Sequence, residues 1–178
     1  MRWFKRIALT LVAIVVLLLG IGLILPSTFK VQRSIDVSAA PDKIYPLIAD
    51  PREWKKWSAW NARDPAMKIA YSGPPAGSGA KWTWESASEG KGEMTFTAAV
   101  PNQRVDYALY FPEFDMRSAG EMKLEPSGQG TRVTWTNQGD VGTNPINRYF
   151  AQAMDRLVGP DFETGLKNLK ALAERSST

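Results

Sequence analysis

NPINRYFAQAMDRLVGPDFETGLKNLKALAE, residues Asn144 to Glu174, has the spacing of a long amphipathic helix. Apolar side chains at Ile146, Tyr149, Phe150, Ala153 and Leu157, then at Phe162, Leu166, Leu169 and Ala173, recur mostly at three- and four-residue steps. That spacing sets them along one stripe of a helix. Such a stripe calls for a cover, because exposed apolar surface is unfavourable in water. Gly159-Pro160 interrupts it: Pro160 lacks an amide hydrogen and its ring crowds the preceding turn, which predicts a bend or a fresh helical start.

The cover is supplied by what precedes the helix, since from Phe29 onward the chain mostly alternates. Phe29, Val31, Ile35 and Val37 share one face of a first strand, with Lys30, Gln32, Ser34 and Asp36 on the other. Arg33 falls on the apolar side, where its guanidinium either meets a carboxylate or lies near the exposed strand start with its stem along the surface. From Met67 the same period returns in six segments. Met67, Ile69 and Tyr71 form one face, then Trp82, Trp84 and Ser86, then Met94, Phe96, Ala98 and Val100. Val105, Tyr107, Leu109 and Phe111 follow, then Met116, Ser118, Gly120, Met122 and Leu124, and finally Val133, Trp135 and Asn137. Seven strands with one greasy face each predict an α+β domain: a seven-stranded curved antiparallel sheet packed on one side by the long C-terminal helix. The loop Gly73-Pro74-Pro75-Ala76-Gly77-Ser78-Gly79 is a turn or cavity-mouth loop, since no Gly-Lys-Ser/Thr ending or following helix supports phosphate binding.

Between the first two strands, Pro41 to Ala49 reads as a short helix, although Pro46 argues for an irregular turn. A second short helix from about Arg52 carries Trp54, Trp57 and Trp60 in WKKWSAW. Three indoles at steps of three form either an aromatic lid over a ligand or part of the core.

Ahead of all this, Ile7 to Leu25 is an uncharged apolar run, long enough at about 1.5 Å per residue to cross roughly 30 Å of hydrocarbon. A cleavable signal peptide shares the pattern of a basic start and an apolar run, but Leu25-Pro26-Ser27-Thr28 offers no small-x-small site. The expected organisation is a transmembrane anchor over 1–28 and one folded domain over 29–178. Arg2, Lys5 and Arg6 favour a cytoplasmic N-terminus, which makes this a single-pass protein with its domain on the periplasmic or extracytoplasmic side.

Every acidic residue follows the apolar run while three basic ones precede it, so the net charge of +4 leaves the folded part near neutral. A nucleic-acid partner loses its main support. The chain has no cysteine and no histidine. Disulfides, thiolate nucleophiles and cysteine-ligated metals are excluded, and any acid–base chemistry falls to carboxylates, tyrosine, lysine, arginine or hydroxyls.

Several stretches together resemble the START-like helix-grip superfamily (Bet v 1-like), in its polyketide cyclase/dehydrase-like branch, SRPBCC. They are VQRSIDVSAAPDKIY (Val31 to Tyr45), WKKWSAW (Trp54 to Trp60), Asp64-Pro65, YSGP (Tyr71 to Pro74), GTRVTW (Gly130 to Trp135) and GPDFETGLKNLK (Gly159 to Lys170). The resemblance implies a cavity between sheet and terminal helix for a hydrophobic small molecule or lipid, with no redox or metal cofactor. No catalytic motif of the cyclases can be matched, so no catalytic residue is carried over.

On this reading the ligand-binding candidates are Trp57, Trp60, Trp82, Trp84, Phe96, Tyr107, Leu109, Ser118, Trp135, Phe150 and Met154. Ser118, Gly120, Asn137 and the Tyr107 hydroxyl either leave space and orient a ligand or serve strand curvature and local backbone groups. Three functions stand open: a membrane-anchored binder of a hydrophobic molecule or lipid, partnered by the bilayer; a cofactor-independent cyclase or dehydratase; and an envelope protein-interaction module. The enzyme reading turns on Arg33, Glu93, Tyr107 and Asp106, and the interaction reading on exposure of Trp54, Trp57 or Tyr110.

Overall fold

In the computed structural model, which describes residues 2–175, the alternating segments pair into one antiparallel sheet. Its strands are β1 (Thr28–Val37), β2 (Lys68–Ser72), β3 (Lys81–Ser86), β4 (Gly90–Val100), β5 (Arg104–Phe111), β6 (Met116–Ser127) and β7 (Gly130–Asp140). They lie in the order β1-β7-β6-β5-β4-β3-β2, so β2 to β7 form a meander and β1 adds beside β7. The helices are α1 (Arg2–Ile24), α2 (Pro41–Ala49), α3 (Ala59–Arg63) and α4 (Pro145–Arg175). The inner face packs against α2, the Trp-rich segment and α4, which gives the one-sided cover that the alternation requires.

The alternation slips once. The β4–β5 register shifts between Phe96 and Ala98, after which Ala99, and not Ala98 or Val100, stands opposite buried Val105. One extra residue in a strand inverts the facing of everything beyond it.

The Trp-rich segment is not one helix but a 3-10 turn, Glu53–Lys56, followed after Trp57-Ser58 by α3. The break serves α2, which runs through Pro46 and ends with the Leu47, Ile48 and Ala49 carbonyls lacking helical partners. Each finds a donor. The Trp57 and Trp54 indole N–H groups bond the carbonyls of Leu47 and Ile48 at 3.0 Å each, and the Gly77 amide bonds that of Ala49 at 2.9 Å.

Helix α4 runs unbroken through Gly159-Pro160, so no fresh start occurs there. Its second half fulfils the expected stripe: Phe162, Leu166, Leu169 and Ala173 are buried. The first half does not. Ile146, Phe150 and Leu157 are exposed, because this end of the helix crosses the end of α1. Arg33 finds carboxylates on α4, at 2.7 Å from both Asp155 and Glu163. Gly159 is what lets Arg33 reach both, since a Cβ there would collide with its guanidinium.

Helix α1 is long and apolar enough to cross a membrane, and almost none of it is covered by the domain. Its Thr10 hydroxyl bonds back to the Arg6 carbonyl at 3.0 Å, so its own backbone satisfies it.

Candidate binding cavity

A cavity of about 180 Å³ lies between the sheet and α4. An engineered apolar cavity of about 150 Å³ holds benzene, so the space suits one or two rings or a short acyl segment. Its floor is aromatic. Trp135 stacks on Phe162 with ring centres 4.0 Å apart and planes at 8°, which joins β7 to α4. Gly165, one turn on, lets the helix come down onto Trp135 and Trp57. Trp54 meets Trp82 at 5.4 Å and Trp135 at 5.5 Å, edge to face in the latter pair.

Of the residues picked from sequence, Trp60, Trp82, Trp84, Tyr107, Leu109, Ser118, Trp135 and Met154 line this cavity. Three do not. Trp57 and Phe96 are fully buried in the core beside it, since their positions fall under α2 and the neighbouring indoles rather than at the open end of the sheet. Phe150 lies on the exposed half of α4.

The lining also includes Phe29, Met67, Ile69, Met94, Phe111 and Met116, all from inward strand faces or strand ends already legible as apolar. Phe162 and Val158 come from α4, and Trp54 from the 3-10 turn. Asn137, inward on β7, is there as well; Ser58, Asn61 and Glu89 complete the lining, and nothing in the sequence context of these last three marks them.

The polar groups divide into committed and free. The Tyr107 hydroxyl donates to the Thr136 carbonyl at 3.1 Å and accepts from the Trp135 indole N–H at 2.9 Å. Burial pushes its pKa well above the ordinary phenol range, against a smaller opposing effect of the Trp135 bond. Gly120 is small for its sake, since a Cβ there would strike the Tyr107 ring and hydroxyl. Ser118 Oγ and Asn137 Oδ1, by contrast, are buried and have no hydrogen-bond partner among the described residues. They occupy inward positions on paired strands, Ser118 opposite Gly139 and Asn137 opposite Gly120. An unpaired buried polar atom costs about 1–3 kcal/mol, so each favours a partner brought into the cavity.

The groups on which catalysis would turn are occupied elsewhere. Arg33 is held by Asp155 and Glu163, Glu93 by Lys81 at 2.7 Å, and Asp106 by Arg104 at 3.4 Å. Among the lining residues the ionisable ones are Tyr107 and Glu89, and Glu89 is paired with Arg63 at 3.1 Å. Arg63 also bonds Asp161, tying α3, the β3–β4 connection and α4 together at the cavity rim. Among the described residues no three His, Cys, Asp or Glu side chains gather where they could hold a metal ion.

The family described as polyketide cyclase / dehydrase and lipid transport matches residues 28–174 by its sequence model. Solved structures share the fold at low identity. The protein MLL2253 from Mesorhizobium loti is 19% identical with a TM-score of 0.59, over 82% of this chain and 97% of that one. The protein of unknown function SA2116 from Staphylococcus aureus is 15% identical with a TM-score of 0.64, over 84% and 96%. The di-domain ARO/CYC StfQ from the steffimycin biosynthetic pathway is 15% identical with a TM-score of 0.63, over 84% of this chain and 52% of that one. A comparison with functionally curated proteins returned no match.

Proposed function

Because the chain belongs to the polyketide cyclase/dehydrase and lipid transport family, we propose that it is a membrane-tethered receptacle for a small apolar molecule, or the apolar part of a lipid, that carries a hydrogen-bonding group. The observation that carries this reading is an aromatic cavity whose two unpartnered polar atoms, Ser118 Oγ and Asn137 Oδ1, lie on one wall. A ligand hydroxyl, amine or protonated acid can donate to Asn137 while exchanging a hydrogen bond with Ser118, and rings or methylenes fill the rest. Burying about 200 Å² of apolar ligand surface at about 25 cal/mol per Å² gives about 5 kcal/mol before the costs of association. The polar pair then decides which apolar molecules are retained.

Helix α1 anchors the receptacle with its N-terminus in the cytoplasm and the domain over 29–178 outside. Trp3 and Phe4, exposed beside Arg2, Lys5 and Arg6, suit the cytoplasmic interface of such a span. The interaction-module reading loses ground with Trp54 and Trp57, both buried.

The test is native mass spectrometry with lipid extraction on the full chain purified in detergent from its host membranes. One bound small molecule per chain, released on denaturation, is the expected result. Chain that is empty in every preparation and gains no thermal stability from 1-naphthol overturns the proposal, since ligand at 100 times its Kd stabilises by about 2.7 kcal/mol. A reporter fused after Thr178 that is active only in the cytoplasm overturns the orientation.

A further inference from the structure

The sheet register fixes which end of the cup is open. β1 begins at Thr28, four residues after α1 ends, and pairs Thr28 with Asp140 and Phe29 with Gly139. Gly139 in turn stands opposite Ser118, and Phe111 opposite Met116. The β5–β6 connection and the β7–α4 connection therefore lie at the end of the sheet where α1 joins it. The cavity opens toward the same end, as Phe29, Phe111, Met116, Met154 and Val158 line it. The opposite end is plugged by Val37, Leu124, Leu169 and Ala173.

That open end also carries the most exposed large apolar side chains of the domain's described residues: Ile146 (57% exposed), Phe150 (58%) and Leu157 (60%) on one stripe of α4, and Phe114 (72%) between β5 and β6. Those on α4 stand beside α1, to which α4 is tied by hydrogen bonds. The Tyr149 hydroxyl donates to the Leu18 carbonyl at 2.6 Å, Arg148 to the Leu23 carbonyl at 2.5 Å and the Leu25 carbonyl at 3.2 Å, and Gln152 to the Pro26 carbonyl at 3.0 Å. Pro145 lies against Gly22, where a Cβ would meet its carbonyl oxygen at 2.7 Å. Leu18 is six residues before the end of α1, roughly 9 Å along the axis at 1.5 Å per residue. If α1 crosses a bilayer and leaves it near Leu25, the first turns of α4 are drawn below the surface of that leaflet.

We propose that the first half of α4, together with Phe114, is a second membrane contact that seats the cavity mouth against the hydrocarbon, so that ligand enters from the leaflet without crossing water. The inference rests on the membrane-tethered reading above and adds its loading route. It accounts for an otherwise unfavourable apolar stripe, since these side chains are solvated by lipid instead of water. The polar groups of this half fit the placement: Arg148 and Gln152 bond α1 carbonyls, Asp155 is paired with Arg33, and exposed Arg156 can reach lipid phosphates. Entry from the leaflet also suits a cavity of modest affinity, because an apolar ligand is concentrated in the bilayer.

The absence of cysteine makes the test direct. Single cysteines replacing Phe114, Phe150 and Leu157, and Lys123 as control, are spin-labelled in the full chain in phosphatidylethanolamine/phosphatidylglycerol vesicles. Collision with oxygen and with a water-soluble nickel chelate is then compared. Labels at the first three positions are expected to favour oxygen and the control to favour nickel; all four in water overturns the proposal. In a second arm, 1-naphthol, whose two fused rings suit the cavity, is delivered from preloaded vesicles or from detergent to the parent and to I146E/F150E/L157E. The variant is expected to load from vesicles roughly tenfold more slowly or worse, with unchanged affinity in detergent, and equal loading overturns the entry route. Chain that takes up the probe from neither source counts against the binding function, and the label depths still decide the docking.

Discussion

Replacing Phe162 by alanine tests whether the aromatic floor is both a structural joint and a wall of the cavity. Phe162 is buried, stacks on Trp135 at 4.0 Å, and meets Trp60 edge to face at 6.2 Å. Truncating a buried phenylalanine costs about 3–5 kcal/mol, and the stacked pair, worth about 0.5–1.5 kcal/mol beyond burial, places this site in the upper part of that range. At about 2–4 °C per kcal/mol for a domain of this size, a loss of about 4 kcal/mol lowers Tm by about 8–16 °C. The assay is equilibrium urea unfolding of the full chain in detergent, followed by circular dichroism. The expected result is a lower midpoint with unchanged slope. The cavity also grows by roughly 100 Å³, so saturating toluene should restore part of the lost stability in the variant while doing much less for the parent. A loss under about 1 kcal/mol, or no recovery with toluene, refutes the idea that this ring fills the space between sheet and helix.

Ser118→Ala and Asn137→Leu should leave the stability of the empty chain nearly unchanged or raise it, since each removes an unpaired polar atom; both should weaken a hydroxyl-bearing ligand more than its hydrocarbon analogue in calorimetric titrations. Gly159→Ala should destabilise the chain by displacing the Arg33 guanidinium, yet stabilise it by up to about 1 kcal/mol in an Arg33→Ala background, where only helix propensity remains; urea midpoints of the four chains in this cycle decide it. Acid should loosen the β1 edge. Its hydrogen bond from Arg132 holds Asp36 at about 2, below the ordinary 3.8, while the Arg33 hydrogen bond lowers Asp155 and the Ser38 amide lowers Glu174. Depressed carboxyl pKa values mean stability that is complete above the ordinary carboxyl values and lost as pH falls toward 2; urea midpoints should therefore fall between about pH 4 and pH 2, and less so for Asp36→Asn.

The strands and the long helix were legible in the sequence because their signals are local: side-chain period, turn residues and length. The misreadings lie where a local pattern met a non-local demand. Trp54, Trp57 and Trp60 have helical spacing, but two of the indoles are needed at the end of α2, which splits the segment into two turns. Ile146, Phe150 and Leu157 have the spacing of a buried stripe, but the neighbour that draws them off the sheet is α1. Strict alternation puts Ala98 and Val100 on the wrong face, because a bulge leaves no mark in an alternating run. Within the site, alternation identifies the inner face but not which part of it stays open. That depends on register: Phe29, Phe111 and Met116 reach the mouth because strand ends meet there, whereas Phe96 is covered. Asn61 comes from the short helix α3 and Glu89 from the β3–β4 connection, both too short to show a period.

Five of the seven tryptophans border the cavity, and Trp54 lies 4.5 Å from Trp57, 5.4 Å from Trp82 and 5.5 Å from Trp135, centre to centre. At such spacings the electronic transitions of neighbouring indoles mix, and the sign and size of the resulting chiroptical bands follow their mutual angles. A guest that tilts one ring alters a spectrum shared by several, so occupancy can be read from the unlabelled molecule with polarised ultraviolet light.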